Sequence, residues 1–110
     1  MKIGRRVDSN HGKIRTALRA AGCFVVDLSQ CGRGIPDLLA CSSRAPERVV
    51  LLEVKSGPKE KLTEDEKQFF ASYPGPAARV ETVEEALEVL GLPGGNRNAH
   101  AIAKNSSNEP

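Results

Sequence analysis

The chain has 110 residues, which allows one domain with a modest core. Its net charge is +2, and no apolar run is long enough to span a membrane. Aromatic residues make up only 4%, too few for a stacking platform of the single-strand-binding kind. Three cysteines, Cys23, Cys31 and Cys41, are an odd set without C-x-x-C spacing. That argues against a disulfide framework or a zinc site and for reduced thiols in a cytoplasmic protein. The basic start, MKIGRR, is followed by no apolar run, so a secretory signal is not expected.

The charge is unevenly spread. Residues 1–35 hold seven Lys/Arg against Asp8 and Asp27, whereas residues 60–90 hold eight acids against Lys61, Lys67 and Arg79. A basic first third suits contact with phosphates, though a solvated helix face balanced by an acidic one has the same signature.

In chain order, residues 1–9 read as a basic arm in which Arg6 is a candidate nucleic-acid contact. Ser9 or Asn10 can cap a helix to about Ala21, with Ile14, Ala17, Leu18 and Ala21 at helical spacing and Gly22 as the stop. His11 falls at the start of that helix and can face a site. Cys23–Leu28 is a β-branched run and the first expected strand. The loop Ser29–Gly34 holds two glycines and Arg33, a candidate phosphate contact.

Two apolar runs follow, Ile35–Ala40 and Val49–Val54, joined by a short link at Ser42–Glu47. Each carries an acid where a buried strand should have none: Asp37 in the first, Glu53 in the second. Side chains alternate along a strand, so Glu53 and Lys55 share a face while Val54 points away and offers its carbonyl. If the strands pair as a hairpin, Asp37 comes near Glu53, and two close carboxylates call for a cation between them. Two acids, a carbonyl and waters form the oxygen shell that Mg²⁺ or Mn²⁺ takes. A neighbouring lysine can orient a water or offset phosphate charge, a set of parts suited to phosphodiester hydrolysis. The plainer alternative is a pair of strand-end acids with Lys55 as an ion-pair partner.

Lys59 lies in the Gly-Pro-Lys loop that leaves this stretch and is a further candidate backbone contact. Thr63 with Glu66 is a capping-box pattern opening a helix that ends before Pro74, with Phe69 and Phe70 as expected core. Ala77–Val80 reads as a strand and Val83–Leu90 as a last helix. Residues 93–110, rich in Gly, Asn and Ser, read as a disordered tail beyond a domain at 10–92. The expected fold is α/β, with a central mixed β-sheet flanked by helices, in the order α-β-β-β-α-β-α.

Ile35-Pro36-Asp37 followed by Glu53-Val54-Lys55 resembles the PD-(D/E)xK nuclease signature. The wider pattern is similar to the small stand-alone VRR-NUC branch found in phages and bacteria. It is carried by Arg6-Val7-Asp8, Asn10, Leu18-Arg19, Gly22, Val25–Leu28, Gly32, Gly34, Pro36–Leu39, Leu52–Lys55, Leu62-Thr63, Phe69 and Val83–Leu87. The resemblance implies a restriction-endonuclease-like core and a metal-dependent endonuclease with Asp37, Glu53 and Lys55 as catalytic residues. Asp37, Glu53 and the Val54 carbonyl would hold Mg²⁺ or Mn²⁺. It further implies cleavage to a 5′ phosphate, branched DNA such as four-way junctions as substrate, and a homodimer. Relatives bring a polar residue from the helix after the lysine, a role open here to Gln68 or Glu66. They also carry a glutamate on the first helix, a position that aligns with Lys13 here. That reversal motivates a second reading, a DNA-binding protein on a nuclease fold that does not cut. A third is an interaction domain for a replication or repair enzyme.

Overall fold

A computed structural model describes residues 9–94 and the backbone of Ile102–Ala103. Helix α1 (Ser9–Ala20) buries His11, Ile14 and Leu18, which lie on one side at three- and four-residue steps. The chain then turns through Gly22, whose φ of +90° glycine adopts without a Cβ clash. Strands β1 (Cys23–Asp27), β2 (Leu38–Ser42) and β3 (Val50–Val54) follow, each antiparallel to the one before. Helix α2 (Glu64–Ser72) makes the crossover that lets β4 (Ala77–Val80) run parallel to β3. Helix α3 (Val83–Val89) closes the domain, and β5 (Ile102–Ala103) pairs antiparallel with β4. The layout is the expected α/β one, a mixed sheet flanked by helices in the order α-β-β-β-α-β-α, with β5 added at the edge.

The sheet has two unlike faces. Val25, Leu38, Ala40, Val50, Leu52, Val54, Ala78 and Val80 join Ile14 and Leu18 of α1 and Ala86 and Leu90 at the α3 end in a single core. Alternation sends Leu51, Glu53 and Lys55 to the opposite face. Every residue of β3 is buried, as expected of a central strand covered on both sides. Among the described residues no helix is long and apolar enough to cross a membrane.

Three expectations need correcting. Strand β2 begins at Leu38, not at Ile35. Arg33 and Gly34 take φ of +60° and +79°, and the Ile35 N–H bonds the Gly32 carbonyl at 3.1 Å, so a left-handed turn occupies the place of the first strand residues. Pro36, lacking an N–H, cannot extend the ladder, and Asp37 therefore stands just ahead of the strand. Secondly, Phe69 and Phe70 are only half-buried, and α2 buries no residue. Phe69 stacks on Tyr73 with ring centroids 5.4 Å apart, so the aromatics cover one another beside the sheet without entering the core. Thirdly, Ile102–Ala103 form a strand within the segment expected to be a tail. They occupy the open hydrogen-bonding edge of β4. The rest of the tail after Gly94, and the arm with Arg6, lie outside the described residues.

The turn at Gly34 is pressed against α2. A Cβ there would meet the Asp65 carbonyl oxygen at 2.4 Å, besides the strain of the positive φ. Gly34→Ala should therefore destabilise the protein by about 1–3 kcal/mol in urea unfolding. Gly32→Ala, whose Cβ meets nothing within 4 Å, should cost less.

Candidate active site

The hydrogen-bonded pairing of β2 with β3 ends at Leu38 opposite Leu52. Continuing that register by one residue sets Asp37 across from Glu53. Asp37 does not continue the ladder through its backbone toward β3. Its Oδ2 instead accepts the Val54 N–H at 2.9 Å, and its carbonyl accepts the Leu28 N–H at 2.7 Å. The carboxyl is thereby held between β1 and β3, where the strand pair ends.

Glu53 and Lys55 project from the second face of β3, as alternation requires, and are 3% and 6% exposed. The Lys55 Nζ lies 3.4 Å from Glu53 Oε2 and 2.9 Å from Glu66 Oε1. Glu66 reaches the site because the capping box expected at Thr63 is formed. The Thr63 hydroxyl accepts the Glu66 N–H, and Glu66 Oε1 accepts the Thr63 N–H at 2.9 Å. The same oxygen thus caps α2 and holds the lysine. Gln68, two residues on, is exposed on another side of the helix. Of the two accessory candidates, only Glu66 stands with the acids.

Three carboxyls around one ammonium leave surplus negative charge in a buried place. Burial, with Asp37 and Glu66 nearby, pushes Glu53 up to about 9 despite Lys55. Burial also raises Asp37, against the opposing pull of the Val54 N–H, His11 and Lys55. Burial works to raise Glu66 too, but the Thr63 N–H and Lys55 outweigh it and keep that carboxyl below its ordinary value. Burial pulls Lys55 down, yet its bonds to Glu66 and Glu53 prevail and hold it above the ordinary lysine value. At neutral pH the cluster is a protonated Glu53, an ionised Glu66 and a charged Lys55. A charged lysine donates protons in hydrogen bonds and is no base.

Other residues brace this arrangement. The Asn10 amide donates to the Lys55 carbonyl at 2.8 Å and to the Glu81 carbonyl at 2.9 Å, pinning α1 to the ends of β3 and β4. Arg79 pairs with Glu81 and donates to the carbonyls of Gly57 and Glu60, which fixes the loop carrying Lys59. Lys59 is exposed on that loop, and Arg33 is exposed on the turn ahead of Asp37. Lys13, which aligns with the first-helix acid of the resembled family, is exposed, while His11 occupies the buried side of α1. Sequence reading singled out neither Arg79 nor the bracing role of Asn10. His11 was legible as a buried position, since it continues the spacing of Ile14 and Leu18.

The donor set is hard oxygen, which fits Mg²⁺ or Mn²⁺ in kind. Among the described residues no three His, Cys, Asp or Glu side chains are arranged as a ready cage. Mg²⁺ commonly binds through one or two carboxylates and keeps several waters. Comparison with protein-family models, curated proteins and solved structures returned no match.

The displaced Glu53 has a consequence for stability. Its ordinary value is 4.5 and its folded value about 9, so the folded state binds the extra proton between those limits and loses stability as pH rises through them. Glu53→Gln removes that loss. In metal-free buffer at pH 8 it should melt higher than the parent, by roughly 4–8 °C for each kcal/mol recovered. The gain should vanish near pH 4.

Proposed function

We propose that this protein is a metal-dependent endonuclease that hydrolyses phosphodiester bonds in DNA, with Asp37, Glu53 and Lys55 at its centre. The observation that carries this reading is the placement of Asp37, half-buried just ahead of β2, across from the buried Glu53 of β3 and beside a charged Lys55. Burying acids against each other is costly unless a cation or proton relieves it. In the metal-free protein Glu53 is relieved by its proton.

Asp37 and Glu53 would hold Mg²⁺ or Mn²⁺, with the Val54 carbonyl as a third oxygen. Such an ion, when bound, polarises the phosphate and lowers the pKa of a coordinated water. Lys55 keeps its proton, so its work is to donate to the attacking water or to a phosphate oxygen as negative charge grows there. A water oxygen adds to phosphorus, the P–O3′ bond breaks, and a 5′ phosphate and a 3′ hydroxyl remain. Glu66 keeps the ammonium aimed at this place through the 2.9 Å contact. Arg33 and Lys59 flank the site and supply positive charge for neighbouring phosphates.

The non-cutting alternative drew its force from a lysine in place of a first-helix acid. Lys13 is exposed on α1 and Ile14, beside it, is in the core, so its charge is directed to solvent and does not neutralise the acids. Branched DNA and a homodimer belong to the same proposal. Phe24 is 63% exposed on the face opposite the α1–α3 core, beside half-buried Val26 and Leu39, an apolar surface that a second copy would cover.

The test is a cleavage panel of four-way junction, flap, linear duplex and single strand with Mg²⁺, Mn²⁺ or EDTA. Cutting should require the metal and favour the junction. Lys55→Ala and Asp37→Asn should each lower the rate about 100-fold or more. Full activity in Asp37→Asn would sink the assignment. Junction binding that is equal in EDTA, without cutting, would favour the binding protein, and no DNA affinity at moderate salt would favour the interaction domain. In light scattering the parent should have the mass of a dimer, and Phe24→Lys should shift it toward monomer.

A further inference from the structure

The acids and Lys55 leave one buried group of the same neighbourhood unused. His11 lies in the first turn of α1, next to the Asn10 amide that bridges the ends of β3 and β4. Its side chain is 8% exposed, and among the described residues its Nε2 is the buried side-chain atom left without a hydrogen-bond partner. Buried polar atoms are ordinarily satisfied, and leaving one open is costly.

The other ring nitrogen settles what Nε2 offers. Nδ1 lies 3.0 Å from an Arg15 guanidinium nitrogen. A guanidinium only donates, so Nδ1 accepts, and in the neutral ring the proton sits on Nε2. Nε2 is then a donor in search of an oxygen, with no lone pair for a metal ion. The Asp27 Oδ1 is 3.8 Å away, beyond hydrogen-bond reach, and already accepts the Ser29 N–H and hydroxyl at 2.9 and 2.6 Å. The Asp27 backbone pairs with Leu38, one residue from Asp37. His11 and Asp37 therefore lie at the same end of the strand pair, near enough to interact electrostatically.

We propose that His11 is a positioning residue of the acid site, its Nε2–H donating to the Asp37 carboxyl through one bound water. Asp37 is then held from the helix side by His11 as it is held from the strand side by the Val54 N–H. The first helix contributes a donor that orients an acid, where the resembled family contributes an acid itself. The inference rests on the nuclease reading in so far as Asp37 binds the cation.

Glutamine places an amide nitrogen near the Nε2 position of histidine, whereas asparagine reaches only the Nδ1 position. Mn²⁺ binding to the full chain, followed by electron paramagnetic resonance, should weaken about tenfold in His11→Ala and His11→Asn. It should stay within about threefold of the parent in His11→Gln if the restored donor is what matters. The reverse order, with His11→Asn normal and His11→Gln weak, would assign the role to the Arg15 contact and overturn the proposal, as would normal binding in His11→Ala. A second readout needs no metal. In ¹⁵N spectra of the imidazole, the resonance lost in His11→Gln should report a protonated Nε2 and should shift in Asp37→Asn. If Asp27→Asn moves it and Asp37→Asn does not, His11 serves β1 and the proposal fails. A parent that binds no Mn²⁺ would count against the nuclease reading, and the imidazole spectra would still decide the role of His11.

Discussion

The bond from the Val54 N–H to the Asp37 carboxyl is the constraint on which this architecture turns. Two antiparallel strands stop sharing a backbone ladder at Leu38 and Leu52, and a side chain takes the next donor. A buried N–H without an acceptor would be costly, so the carboxyl stabilises the end of the sheet while being fixed there itself. The fixed acid then lies across from Glu53, and the electrostatics of the site follow from that proximity. Burial and the neighbouring Asp37 raise Glu53, and the proton, the lysine or a cation must relieve the pair.

Several contacts serve both fold and site. One oxygen of Glu66 caps α2 and receives Lys55. Asn10 ties the start of α1 to the carbonyls that follow β3 and β4. Gly34 lets the turn ahead of Asp37 lie against the backbone of Asp65. Helix α2 buries no residue, so its place depends on these polar and close-packed contacts at its first turn more than on an apolar stripe.

The face opposite the α1–α3 core is mixed. Leu51 and Ala77 are buried there, Glu53 and Lys55 form the acid site, and Phe24 stands in solvent. Polar chemistry and exposed apolar surface thus share one side of the sheet.

Much was legible in the sequence because it depends on local chemistry. The alternation of Glu53, Val54 and Lys55 set which two side chains share a face. The capping box at Thr63 and Glu66 follows from hydrogen-bonding groups within three residues of one another. Long-range placement was decided by tertiary structure. The left-handed turn at Arg33 and Gly34 shortened β2, since the tilt of that turn depends on packing against α2. The capping rule announced that Glu66 would turn back to Thr63, but only the crossover of α2 brought the same oxygen to Lys55. In the same way, His11 reads as a helix-start residue that can face a site, and the structure places it on the buried side of α1 with Ile14 and Leu18. Where that side chain comes to lie relative to the strands follows from the packing of a helix on a sheet, which no window of sequence contains.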